Sequence, residues 1–101
     1  MTRSKTFPIF LGSSRTIRWF VYNDDKVTVE ANSTAARIIN KDTYDILNVL
    51  APVRENVGIY SAAINTTALG LETGTYIIEF SCLVAGQNKA IRDYIKVKYM
   101  I

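Results

Sequence analysis

Apolar and polar positions alternate over much of the chain, and the period is two. From Arg15 to Tyr22 the odd positions Ile17, Trp19 and Val21 make an apolar face, while Thr16, Arg18, Phe20 and Tyr22 make a mixed one, the pattern of a half-buried strand. Asn23-Asp24-Asp25-Lys26 ends that strand with turn chemistry. Upstream, Thr6 to Leu11 reads as a first strand that Pro8 confines to a sheet edge, and Gly12-Ser13-Ser14 turns the chain.

The last third is the clearest. Thr75 to Val84 sets Tyr76, Ile78, Phe80, Cys82 and Val84 on one face and Ile77 and Leu83 on the other. Ala85-Gly86-Gln87-Asn88 turns, and Lys89 to Tyr99 returns as the second arm of a hairpin. On that arm Ile91, Ile95, Val97 and Tyr99 share one parity, and Arg92, Tyr94, Lys96 and Lys98 the other. Asp93 falls on the apolar parity, so either the strand turns inward only after it or a bulge intervenes.

The middle is less regular. Val27 to Val29 reads as a short strand and Glu30 to Thr34 as a loop; Ala35 to Ile39 reads as a strand joined through Asn40-Lys41-Asp42 to another at Thr43 to Val49. Helix is the rival over residues 33–50, because Ala35, Ala36, Ile39, Ile46, Leu47 and Leu50 partly fit a 3.6 period; strands rank first. Ala51 to Val57 reads as a loop and Gly58 to Ile64 as a strand.

Within Leu71-Glu72-Thr73-Gly74-Thr75-Tyr76, a glycine corner runs straight into a strand, and Tyr76 sits two residues after the glycine. A tyrosine so placed buries its ring between sheets and returns its hydroxyl to a backbone group upstream, the corner device of immunoglobulin-like sandwiches. The expected fold is therefore all-β, an immunoglobulin-like antiparallel β-sandwich of about seven strands spanning residues 1–101 as one domain. Ile17, Trp19, Val21, Tyr60, Ile64, Tyr76, Ile78, Phe80, Ile95 and Val97 are its expected core.

Composition narrows the chemistry. With 49% hydrophobic and 21% charged residues the chain is a folded domain and not a disordered tail. A net charge of +3 permits acidic partners without demanding them. The basic start Met1-Thr2-Arg3-Ser4-Lys5-Thr6 leads into an apolar stretch that Pro8 and Gly12 cut to about four residues, too short for a signal segment. No window approaches the roughly twenty apolar residues of a membrane span, so the chain is expected to stay where it is made, without membrane contact. Cys82 is the sole cysteine and histidine is absent, which removes intrachain disulfides and nearly all zinc chemistry. The sequons at Asn32 and Asn65 read as polar turns.

Together, Gly12-Ser13-Ser14, the aromatic strand ending Val21-Tyr22-Asn23-Asp24, Gly58-Ile59-Tyr60-Ser61, and the Leu71 to Tyr76 corner resemble a family pattern. It is similar to the small immunoglobulin-like modules of tailed-bacteriophage structural proteins, including upper-baseplate N-terminal domains, and more distantly to macroglobulin-type domains. The resemblance runs from about Phe7 to Val97 and rests on fold motifs. It implies a virion component made in the host bacterial cytoplasm, and it supplies no catalytic residues.

The residues themselves point the same way. No base stands beside Cys82 or any serine in a pattern that nucleophilic catalysis needs, and Cys82 lies on the buried parity. Asp24-Asp25, or Asp42 with Asp45, suit β-turns without invoking a metal, and Gly70, Gly74 and Gly86 lie in separate corners and not in a phosphate loop. No enzyme activity, metal or cofactor is expected. Phe20 and Tyr22, with Ile77 and Leu83, put more apolar bulk on outward parities than a solvated face needs, and either a protein contact or a covering segment accounts for them. The expected function is a non-enzymatic structural subunit, a head decoration or head-to-tail accessory protein. It would dock in many copies on capsid, portal or tail proteins or on itself, through Arg18, Phe20, Tyr22, Ile77 and Leu83. The alternative is a module for glycan or single-stranded nucleic acid, the latter through the Arg92, Tyr94, Lys96 and Lys98 face; nucleic acid ranks lower because edge lysines also serve to discourage aggregation.

Overall fold

The computed structural model describes residues 5–23 and 25–99. Met1 to Ser4, Asp24, Met100 and Ile101 lie outside the described residues, and with them the first four residues of the basic start and one member of the Asp24-Asp25 pair. The fold is all-β. Its strands are β1 (Thr6–Phe10), β2 (Ser14–Phe20), β3 (Asn32–Asn40), β4 (Ile46–Leu50), β5 (Val53–Asn56), β6 (Ile59–Asn65), β7 (Gly74–Val84) and β8 (Gln87–Lys98). They form a five-stranded sheet in the order β1-β8-β7-β3-β4 and a three-stranded sheet in the order β2-β6-β5.

One core lies between the sheets. Ile17, Trp19, Val21, Tyr60, Ile64, Ile78, Phe80, Ile95 and Val97 are all buried in it, with Tyr76 packed against it half-buried. Each comes from the inward parity of its strand, so the alternation read along β2, β6, β7 and β8 is the alternation of the folded sheets. Phe80 is the centre of an aromatic stack across the layers: its ring lies 4.9 Å from that of Trp19, nearly parallel at 13°, and 6.0 Å from that of Tyr60.

Residues 33–50 are strand and not helix. Ala36 and Ile38 face the core at the period of two and Ile39 takes the opposite face, while the β3–β4 ladder shifts register between Ile38 and Ile39. The tyrosine corner is formed as read. The Tyr76 hydroxyl donates to Glu72 O at 2.9 Å and accepts from Glu72 N at 3.1 Å, closing the loop that feeds β7. Tyr76→Phe should cost about 1 kcal/mol in a denaturant melt, since one neutral, partly exposed hydroxyl is lost; an unchanged midpoint would show that the corner holds without it.

Three expectations are corrected. The sandwich is not wholly antiparallel: β1 runs parallel to β8, from Thr6 opposite Tyr94 to Phe10 opposite Lys98. Gly12, at φ +86°, turns the chain across to the other sheet, so β1 and β2 cannot form a hairpin and β1 takes the outer edge of β8, where its Pro8 is tolerated. The stretch 51–57, read as loop, contains β5, whose four residues are all exposed. An edge strand held only by its ladder to β6 carries no apolar alternation for a sequence reading to find. The stretch 27–29 is not a strand of its own; Thr28 makes a single bridge to Tyr22, and the loop is tied instead by Tyr60, whose hydroxyl accepts from Ala31 N at 3.0 Å.

Asp93 keeps the inward parity with no bulge, because β7 and β8 pair without interruption from Gly74 opposite Val97 to Val84 opposite Gln87. Its carboxylate accepts the Lys5 N–H at 2.8 Å, so the buried acid clamps the start of β1 to β8. Thr66, fully buried, works the same way at the Gly12 turn: its hydroxyl accepts from Gly12 N at 2.7 Å and donates to Ser13 O at 3.2 Å. Asn65, read as a polar turn residue, accepts from Ala68 N in a turn, whereas Asn32, read the same way, opens β3, so Asn32 to Thr34 are strand and not the end of a loop.

Candidate functional site

β1 has five residues and β8 twelve, and β1 covers β8 only from Tyr94 onward. The earlier part of β8 therefore faces the edge strand β2 across a gap, and the side chains at the end of β2 line it. Phe20 and Tyr22 stand there 46% and 48% exposed, with ring centroids 6.4 Å apart and planes 19° from parallel. They line a cleft of about 460 Å³ with Val21, Phe80, Cys82, Lys89 and Ile91. A second depression of about 400 Å³ shares Phe20, Tyr22 and Ile91 and adds Lys5, Trp19 and Asp93. Ile91, 44% exposed although on the apolar parity, is apolar surface of this groove.

The residues named from sequence fall into two separate groups. Arg18 and Phe20 lie on the three-stranded sheet, with Tyr22 just beyond it; Arg18 is fixed by both carboxylate oxygens of Glu55, at 3.0 and 3.1 Å. Hydrogen bonds from Ser61 and then from Arg18 hold the Glu55 carboxyl below its ordinary range. Ile77 and Leu83 lie on the other sheet, in β7, and do not join them. Ile77 does take the outward parity, but it is 6% exposed, set between Ile39 and Tyr94 in register on the same face. It is lateral packing and not an anchor. Leu83 is half-buried.

The basic parity of β8 is only partly free charge. Arg92 bonds Glu79 at 2.7 Å and Arg37 bonds the other oxygen of the same carboxylate at 3.3 Å, so a buried acid draws two arginines onto the face. Tyr94 is half-buried beside Ile77, which leaves Lys96 and Lys98 as exposed cations there. Two lysines make a short electrostatic track for a phosphate backbone.

Cys82 is buried at the floor of the groove. Burial pushes its thiol up from the ordinary value, and the nearby Lys89 charge opposes this only in part. A protonated, enclosed sulfur is a poor nucleophile, so alkylation of the folded chain at neutral pH should be at least about tenfold slower than of the unfolded chain. Equal rates would mean that the groove opens to the sulfur. Among the described residues no group of three or more acidic or cysteine side chains is placed to hold a metal.

No protein-family model and no curated protein matches the sequence. Solved structures match by shape. The endo-β-1,4-mannanase of Thermotoga petrophila superposes with a TM-score of 0.65 at 13% identity, covering 97% of this chain and 18% of that one. An engineered protein superposes with a TM-score of 0.63 at 11% identity over 94% of this chain and 18% of its own. The chain thus spans under a fifth of each, and the likeness at these identities is one of fold.

Of the residues lining the groove, sequence reasoning named Phe20, Tyr22 and Arg18 and did not set Lys89, Ile91 and Trp19 beside them. The register of β7 with β8 sets Lys89 opposite Cys82 and Ile91 opposite Phe80. The signal for the groove was the mismatch between a five-residue first strand and a twelve-residue last one, which leaves inward positions of β8 uncovered.

Proposed function

We propose that this chain is a non-enzymatic docking subunit with an immunoglobulin-like sandwich, of the kind that tailed-phage particles use as decoration or head-to-tail accessory proteins. It attaches in many copies to capsid, portal or tail proteins through the Phe20 and Tyr22 surface. The observation that carries the reading is that stacked aromatic pair, nearly half exposed at the mouth of an apolar groove, beside an arginine already held in place by Glu55. Exposed aromatics beside an arginine are the composition of interface centres, because such side chains bury large areas while losing few rotamers. Repetition on a lattice would convert modest single contacts into firm attachment.

The reading is tested by sedimenting the purified chain alone and with the particle proteins encoded beside its gene. Saturable co-sedimentation, or concentration-dependent self-association, is the expected result. A chain that stays monomeric and unbound at all concentrations overturns it.

A further inference from the structure

The edge of β2 beside Phe20 is open. Val21 donates its N–H to Gly58 O and Thr66 donates to Ser13 O, which makes the odd-numbered residues of β2 the hydrogen-bonded partners of β6. The same alternation turns the N–H and C=O groups of Thr16, Arg18 and Phe20 to the opposite edge, and β2 is the last strand of its sheet. β1, across from it, is paired with β8.

Three depressions follow one another along β8, and two of them are lined also by Phe20 at that edge. They are lined in turn by Gln87 and Lys89, by Lys89 and Ile91, and by Ile91 and Asp93, which are successive same-parity positions of β8. Seven residues of strand span roughly 20 Å at about 3.3 Å each, the reach of an extended segment of similar length. The lining is mostly apolar, and the charges set into it are the cations Lys5, Arg18 and Lys89 against the one acid Asp93. Lys5 stands at one end and Lys89 between the other two depressions, neither in a salt bridge among the described residues. Asp93 already accepts the Lys5 N–H, and Glu55 offsets Arg18. Trp19, 4% exposed, lines the groove and holds a buried indole N–H with no partner among the described residues. Such a donor calls for an acceptor.

We propose that the open edge of β2 receives an extended, acidic segment of a partner protein as an added strand. Arg18 and Phe20 supply the backbone ladder, the groove floor at Phe80, Cys82 and Ile91 takes an apolar side chain, and carboxylates answer Lys5 and Lys89. This rests on the docking role of Phe20 and Tyr22 and specifies what docks there. Strand addition takes its affinity from main-chain hydrogen bonds and its selectivity from the pockets beside them.

The test is amide hydrogen exchange on the full chain with the acetylated, amidated peptide Asp-Val-Phe-Val-Asp, against its counterpart Lys-Val-Phe-Val-Lys. With saturating acidic peptide, exchange at Arg18 and Phe20 should slow by roughly tenfold or more, while Trp19 and Val21, already bonded to β6, should not change. The lysine peptide should have no such effect, and Lys89→Glu should invert the preference. Arg18→Pro, tolerated on an open edge, should abolish binding where Arg18→Ala only weakens it. Unchanged exchange at Arg18 and Phe20, or equal protection by both peptides, overturns the proposal. Protection that rises with protein concentration without peptide overturns it in favour of a second copy of this chain. A chain that assembles through Phe20 and Tyr22 yet leaves both amides exchanging freely sinks strand addition alone, because assembly is read separately.

Discussion

Phe80→Ala should destabilise the fold by about 3–5 kcal/mol, the largest loss expected of any single core truncation here. Phe80 is 1% exposed and is the ring on which Trp19 of one sheet stacks and against which Tyr60 leans. Removing it deletes the buried area, the ring contacts with both partners, and the filling between two layers whose strands are fixed by their ladders and cannot collapse inward. A domain of this size has roughly 5–15 kcal/mol in hand, so the variant should melt far below the parent or fail to fold. Phe80→Leu should lose much less, because most of the volume remains. The measurement is a urea melt of both variants; a loss under about 1 kcal/mol for the alanine variant would mean that the inter-sheet stack does not hold the layers together.

Gly58→Ala should cost about 3 kcal/mol although it adds a single methyl group. Gly58 sits at φ +70°, and a Cβ there would lie 2.8 Å from Val29 O, 2.9 Å from Val21 O and 2.9 Å from Val29 N. All three contacts are backbone, and the backbone there is already bonded: Val21 N–H to Gly58 O, and Val29 N–H to Val21 O. No rotamer change relieves the clash, so the loop after β2 must move off the turn before β6. The consequence reaches the site, because Val21 lies between Phe20 and Tyr22. Thermal melts should show the loss, and exchange should rise at Val21 and Val29 first; a neutral substitution would show that this crossing is loose.

These two residues also mark what a sequence reading can reach. Phe80 was legible because it lies on a strand whose alternate positions are apolar, and parity is a local property of the chain. Gly58 was legible as a strand boundary and not as a crossing point, since nothing local tells that Val21 and Val29 pass beside it. The same division separates Phe20 and Tyr22 from Ile77. Parity sent all three outward, and the folded chain leaves the first two open at a sheet edge while Ile39 and Tyr94 flank the third. Glu79 and Asp93 show the limit for charge: both are buried acids, and their partners come from distant parts of the chain, Arg37 and Arg92 from other strands and the Lys5 N–H from just before β1. β5 left no trace because all four of its side chains face water.

The central claim is that Phe20 and Tyr22 serve attachment and not folding, and one paired measurement tests it most directly. Phe20→Ser with Tyr22→Ser is compared with the parent by thermal melt and, at matched concentrations, by sedimentation with the particle proteins or alone. The account predicts a melt within about 1 kcal/mol of the parent, since both rings are nearly half exposed, and an attachment weaker by roughly 2 kcal/mol or more. An unfolded double variant would make these rings core; a folded one that assembles as well as the parent would place the contact surface elsewhere and contradict the account.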